Sequence, residues 1–517
     1  MNKKQTVLIL DFGSQFTQLI ARRIRELGAK SVIQSCTIKP QQINLEQIGA
    51  IILSGGPASV TDKDAPDFDQ SWLSLSLPVL GICYGMQLLA HLSGAKLKSG
   101  ASREYGFSEI SIKNNSGIFS NFTSGSKLSV WMSHGDHVEE LPDEYKLLAE
   151  SSGSPIAAMV NEAKKIYAVQ FHPEVVHSQG GKEILKNFLT IIANITPSWN
   201  TENYAEEQIA KIRSQVKKNE TVICALSGGV DSTVAAVLVN KAVASQLFCL
   251  FIDNGLLRKD EATQVSKRLG KDGLGLNLKT VNAQERFLSA LSGVTDPEEK
   301  RRRIGLTFIE VFEEETLNIP NAKYLVQGTL YPDVIESFSV RGPSATIKTH
   351  HNVGGLPKKM KFSLIEPFRE LFKDEVRKIG IELGLSEELI FRQPFPGPGL
   401  AVRVLGEVTF ERLEILRKAD AIFQEEIRGH GLYKTLWQSF AVLLPVKSVG
   451  VMGDGRTYES CVALRAVTSQ DGMTADWAYL PHQLLRTVSS RIINQVRGVN
   501  RVVLDISSKP PATIEWE

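Results

Sequence analysis

The chain has 517 residues, more than one hydrophobic core usually serves, so about three compact units are expected. Apolar residues make up 42% and charged residues 22%, an ordinary globular mix. Its 59 basic and 57 acidic side chains leave +2, too weak a field to hold nucleic acid by counterion release, and no apolar run reaches the roughly 18 residues of a membrane span. Neither nucleic acid nor a membrane is expected as a partner.

Residues 7–10, 50–53 and Val79–Ile82 read as short β-rich runs, with helical patterns over Thr17–Glu26 and 86–92 between them. This alternation predicts βαβ units on a largely parallel sheet. The first residues run straight into the apolar stretch without the features of a signal peptide, so a cytoplasmic enzyme is expected. Five scattered cysteines, Cys36, Cys83, Cys224, Cys249 and Cys461, show no paired spacing for zinc or a disulfide framework. Cys224 and Cys249, inside apolar strands, are expected to be core thiols.

Cys83 differs from the others. In Pro78-Val79-Leu80-Gly81-Ile82-Cys83-Tyr84-Gly85-Met86-Gln87 a buried strand ends at the thiol and a helix begins at once, with glycines two before and two after it. Such an elbow exposes a nucleophile, and the helix N-terminus favours a thiolate. A base and its orienting partner are available at Ala168-Val169-Gln170-Phe171-His172-Pro173-Glu174, where the His-x-Glu spacing puts imidazole and carboxylate on one side of an extended chain. Ser54-Gly55-Gly56-Pro57 ends another strand, and the amides of Gly55 and Gly56 are candidates for an oxyanion hole.

These motifs resemble the class I glutamine amidotransferases over roughly residues 5–195. The resemblance implies that Cys83 attacks the glutamine amide, that His172 protonates the departing ammonia and then activates water, and that Glu174 orients the imidazole. It also places Gln87 and Ser133-His134-Gly135-Asp136 at the glutamine pocket.

Turn formers at Thr196-Pro197-Ser198-Trp199-Asn200 and a charged helical stretch over 204–218 mark a boundary, giving a first domain at 1–197. A second alternating block follows, with strands expected at Thr221–Leu226, 247–252 and 324–327. The first of these runs into Ser227-Gly228-Gly229-Val230-Asp231-Ser232-Thr233 and then a helix, a strand, glycine loop and helix N-terminus that together cradle phosphate. No Gly-Lys-Ser/Thr follows, so this is not a Walker loop. It resembles the PP-loop of ATP pyrophosphatases, which implies ATP bound by residues Ser227 to Thr233, cleavage between the α and β phosphates, and Mg2+ with its protein ligands unassigned. Asp253 and Arg258, at the end of the next strand, are further candidates for nucleotide or metal contact, with a surface pair as the alternative.

Gln393-Pro394-Phe395-Pro396-Gly397-Pro398-Gly399 forbids continuous helix or interior strand and sets the second boundary, giving domains at 198–394 and 395–517. The last segment reads as α+β: helix over 410–428, strands over 441–451 and 462–467, helix over 484–496, strand over 502–506. Residues 339–361, with glycines, prolines and lysines and little periodicity, suggest a loop over a site.

The whole order, two doubly wound α/β domains and an α+β tail ending Ser508-Lys509-Pro510-Pro511-Ala512-Thr513-Ile514-Glu515-Trp516-Glu517, is similar to the glutamine-hydrolysing GMP synthase family. That similarity implies a ligase of purine biosynthesis that adenylates XMP with ATP, releases pyrophosphate and aminates the intermediate with glutamine-derived ammonia. It places Arg301, Lys509, Ile514 and Glu515 at the XMP pocket, makes Lys348 a lid residue, and makes the tail a dimerisation domain of a homodimer. Taken without the family, residues 300–303 would read as a solvated helix face. A ligase acting on NAD precursors would need the same two motifs, and a sensor keeping inactive folds would be expected to have lost the thiol, imidazole or loop serines that are present here.

Overall fold

The computed structural model describes residues 5–337, 362–452, 455–469 and 474–517. Lys348 and the segment expected as a lid lie outside the described residues. The chain forms two compact units, one built mainly from Met1–Tyr204 and one from Ala205–Tyr331 with the C-terminal third.

The first unit is organised by nine strands: β1 (Thr6–Asp11), β2 (Lys30–Ser35), β3 (Ile48–Leu53), β4 (Val79–Ile82), β5 (Leu97–Ile112), β6 (Lys127–Val138), β7 (Lys146–Ser151), β8 (Ala158–Asn161) and β9 (Ile166–Val169). Their order across the sheet is β2-β1-β3-β4-β9-β8-β7-β5-β6. The block from β2 to β9 is parallel, as expected, and the remaining strands extend it antiparallel. Burial explains why only the parallel block stands out in the sequence. β3 and β4 are buried along their whole length and so are continuous apolar runs, whereas β6 alternates buried and open positions.

In the second unit, β10 (Thr221–Leu226), β11 (Leu247–Asp253), β12 (Leu278–Asn282), β13 (Ala322–Val326) and β14 (Ser363–Ile365) form a parallel sheet in the order β12-β11-β10-β13-β14. The chain order reverses beside β10, which puts its carboxyl end at a topological switch point. A second sheet holds β15 (Gln438–Met452), β16 (Gly455–Thr468), β17 (Asp476–Trp477) and β18 (Val499–Leu504), with β18 parallel to β16 and the other pairs antiparallel. Helices Phe410–Gly429 and His482–Gln495 belong to this segment. One hydrophobic cluster joins Ile223, Leu250 and Leu325 of the first sheet to Phe423, Leu443, Val462 and Leu484. The division expected at 394/395 therefore separates two sheets that share one core.

Candidate active sites

Register delivers the first site. Leu53 lies beside Gly81, Gly81 beside Ala168 and Ile82 beside Val169, so three parallel strands end level and present Ser54 to Gly56, Cys83, and Gln170 to Glu174 at one edge. At the elbow Cys83 takes φ +54°, a left-handed conformation that is strained for a residue with a side chain. Gly85 is required there, because a Cβ would stand 2.4 Å from the Leu53 carbonyl oxygen. The helix Tyr84–Leu92 can thus pack directly on β3 and start immediately after the thiol.

Cys83, His172 and Glu174 are all buried. His172 Nδ1 lies 2.7 Å from Glu174 Oε1. Burial alone would lower the imidazole, but the Glu174 charge and hydrogen bonds to Glu174 and Cys83 outweigh it and raise His172 to about 10. The Phe16 ring meets the imidazole edge-on, with centroids 5.0 Å apart. Cys83 Sγ points to the Ser133 carbonyl at 3.6 Å and receives Gln170 Nε2 at 3.8 Å. The sequence motifs brought the triad together, while Phe16, the Ser133 carbonyl and Gln170 as sulfur contacts became visible only once the strands were aligned.

The loop after β3 is braced by Ser54, whose Oγ accepts from Phe12 N at 3.0 Å and donates to Gly55 O at 2.8 Å. Among the described residues, no hydrogen bond engages the amides of Gly55, Gly56 or Tyr84. Tyr84 follows Cys83, the position from which nucleophile elbows supply an oxyanion donor, and the sequence motifs do not single it out. Gln87 is buried and donates to the Asp136 carbonyl at 2.7 Å, which ties the helix to the strand carrying Ser133. His134 sits 3.2 Å from Glu104, and its burial lowers its affinity for a proton.

The second site is a loop at the end of β10. Gly228 has φ +72°, and Gly229 N donates to Ser227 Oγ at 3.2 Å. Ser227 Oγ and Ser232 Oγ are 3.0 Å apart, and Thr233 Oγ1 donates to Gly229 O at 2.7 Å. These bonds fold the loop at the start of helix Val230–Val243, whose first amides have no acceptor within the helix. Asp231 Oδ2 lies 3.4 Å from Lys373 Nζ, whereas Oδ1 is buried and has no hydrogen-bond partner among the described residues. Arg392 donates to Gly228 O at 2.8 Å and pairs with Glu261. Neither Lys373 nor Arg392 had a local sequence signal. Asp253 accepts from Gly255 N and Gln284 Nε2, while Arg258 pairs with Asp420 and donates to the Ser439 carbonyl.

The C-terminal residues are held by cations, of which Lys300 and Arg403 are buried and Arg301 is half-buried. Lys300 is completely buried, contrary to the solvated face its local sequence suggests, and donates to Val404 O at 2.8 Å and to Glu517. Arg301 Nη2 donates to Glu517 O at 2.6 Å. Lys509 pairs through its backbone with Ala475, Ile514 packs against Phe440, Val442 and Ala463, and Glu515 is gripped by Arg403 and Gln438.

Residues 8–192 match the family model for class-I glutamine amidotransferase, residues 204–304 that for NAD synthase, and residues 425–516 that for the GMP synthase C terminal domain. The chain is 56% identical to the GMP synthase [glutamine-hydrolyzing] of Solidesulfovibrio magneticus, and 56% identical to that of Brachyspira hyodysenteriae, with 100% of each chain covered in both comparisons. It is 57% identical to that of Chlorobaculum tepidum, with 99% of each covered. The chain belongs to the glutamine-hydrolysing GMP synthase family.

Proposed function

We propose that this protein converts XMP to GMP, spending ATP and glutamine. The observation that carries the reading is the 56% identity to a glutamine-hydrolysing GMP synthase over the full length of both chains, which covers the acceptor-binding tail as well as the two motifs. The match of residues 204–304 to NAD synthase reflects the shared phosphate loop and extends no further along the chain.

In the glutaminase half, Cys83 Sγ attacks the amide carbonyl carbon, and the developing oxyanion meets the free amides of Gly55, Gly56 and Tyr84. His172 gives a proton to the leaving nitrogen, ammonia departs, and a thioester remains. His172 then takes a proton from water, which attacks the thioester and releases glutamate and the thiol. Glu174, 2.7 Å from Nδ1, keeps the other ring nitrogen aimed at the sulfur. Gln87 supports the glutamine pocket by fixing the Asp136 strand.

In the synthetase half, the XMP C2 oxygen attacks the ATP α-phosphorus and pyrophosphate leaves, held by the Ser227 to Thr233 loop. Ammonia then displaces AMP from C2. Asp231 Oδ1, buried at the loop without a partner among the described residues, would hold Mg2+, an ion that needs few protein carboxylates. When bound, the ion would neutralise charge on the phosphates. Arg301, Lys509, Ile514 and Glu515 are assigned to XMP, and Lys348 to a lid, on family resemblance, supported for Arg301 by its bond to Glu517 O in the segment that carries the other three. By function the chain divides at 1–197, 198–394 and 395–517.

A homodimer is supported by the β15 and β16 hairpin, where Val449 and Tyr458 are paired neighbours and are exposed together with Val451. Val451→Asp is expected to shift the sedimentation coefficient towards the monomer. We place the enzyme in the cytoplasm, where ATP is available and its five free thiols stay reduced.

The deciding experiment is GMP formation from XMP and Mg-ATP with glutamine or with ammonium chloride, in the parent and in Cys83→Ala. The variant is expected to lose only the glutamine-driven reaction. A parent that makes no GMP from either nitrogen source would sink the assignment of XMP as acceptor.

A further inference from the structure

Two arginines, Arg403 and Arg465, are completely buried beneath the last residues of the chain. Arg465 fixes the tail's backbone: Nε donates to Ile514 O at 3.1 Å, Nη2 to Thr513 O at 2.9 Å and Nη1 to Ser507 O at 2.8 Å. Arg403 fixes a side chain. Its Nε and Nη2 make a two-pronged contact with Glu515, at 3.0 Å to Oε2 and 2.8 Å to Oε1. Its guanidinium carbon sits 4.0 Å from the Phe440 ring centroid and 5.2 Å from that of Phe395. Gln438 Nε2 adds a third donor to Glu515 Oε1 at 2.7 Å.

Stability alone gives little reason for this arrangement. A buried ion pair generally gains nothing over apolar side chains of similar volume, because desolvating the guanidinium costs about what the contact returns. Its distinctive product is direction. The two rings fix the plane of the guanidinium, the fork fixes the plane of the carboxylate, and Glu515 remains partly open at 18% side-chain exposure while Arg403 is closed off.

We propose that Arg403 is a positioning residue for the nucleotide acceptor: it aims the Glu515 carboxylate so that an open lone pair accepts an N–H of the bound base. Arg403 acts through Glu515 and does not touch the nucleotide. The inference rests on the assignment of Glu515 to the XMP pocket.

The test uses the full-length enzyme with ammonium chloride as nitrogen source, which bypasses the thiol site. Arg403→Lys keeps the charge and loses the fork, Arg403→Met keeps the packing between the rings and loses both, and Glu515→Gln removes the aimed charge. Each is expected to raise the KM for XMP about 10-fold or more, with the KM for ATP unchanged within about twofold. The lysine variant should be the least affected of the three. Arg403→Met combined with Glu515→Gln should be no worse than the poorer single variant, because both act through one contact. Independent, multiplying losses would overturn the proposal, as would a raised KM in Glu515→Gln with normal values in both Arg403 variants. A normal KM for XMP in Glu515→Gln would instead remove the Glu515 assignment itself. A variant that fails to fold shows itself by losing ATP affinity, and the double variant, which leaves no unpaired charge beneath the tail, separates mispositioning from that loss.

Discussion

The two candidate sites solve different problems with different parts of the chain. At the first, the enzyme must provide the reagent, so a thiol, an imidazole and a carboxylate are sunk in the sheet edge and braced against one another, with Glu174 fully inaccessible. At the second, the substrate brings its own charge, and the protein answers with backbone amides, hydroxyls and a helix start in a loop whose first residue, Ser227, is exposed. Burial sharpens a nucleophile and its base, because low dielectric strengthens every charge contact among them. A loop that must admit and release a triphosphate gains more from donors that need no side-chain ordering.

That contrast breaks most sharply at Cys83. Replacing it with alanine should reduce glutamine-driven GMP formation by about 10⁴-fold or more and leave ammonium-driven formation intact. Glu174→Gln keeps the shape but not the charge behind His172, and a fall of roughly 10²- to 10⁴-fold is expected in the same assay, again confined to glutamine. An equal loss with ammonium would show that the two sites fail together. Ser232→Ala sharpens the other side: with the bond to Ser227 Oγ gone, the KM for ATP should rise about 10-fold whichever nitrogen source is used.

The same contrast governs what could be read in advance. The triad and the phosphate loop were legible because each is local: a nucleophile between spaced glycines, a His-x-Glu, a Ser-Gly-Gly-x-Asp-Ser turn. The central parallel strands β1, β3, β4, β10 and β11 were legible because they are buried along nearly their whole length, whereas β2, β12 and β14, with open positions, were not. The antiparallel pair β5 and β6 was not, since strands that are open on one face dilute their apolar residues with polar ones. Lys300 illustrates the deeper limit. Within Lys300-Arg301-Arg302-Arg303, Arg302 and Arg303 pair with Glu299 as a solvated helix face would, yet Lys300 reaches carbonyls more than a hundred residues away. Only tertiary structure distinguishes it from its neighbours. Arg392, Lys373 and Arg403 escaped for the same reason: each acts on a partner remote in sequence, which no local pattern encodes.

The smallest expected effect tests whether the thiol site is as tightly coupled as its geometry indicates. His172 holds its proton up to about 10, against an ordinary 6.5, because Glu174 and Cys83 outweigh the cost of burial. Below pH 6.5 the imidazole is protonated in both folded and unfolded chains, and the pair's contribution to stability is fully present. Between 6.5 and about 10 only the folded chain keeps the proton, so stability must fall as pH rises through this window, and the contribution is gone above it. Urea midpoints of the amidotransferase unit, followed from pH 6 to 10, should therefore decline more steeply in the parent than in Glu174→Gln, where the charge that sustains the imidazolium is absent. Other groups titrate across the same range, but they are common to both proteins and cancel in the difference. Parallel curves would mean that His172 gains nothing from Glu174 in the folded chain, and that the carboxylate orients the ring without holding its charge.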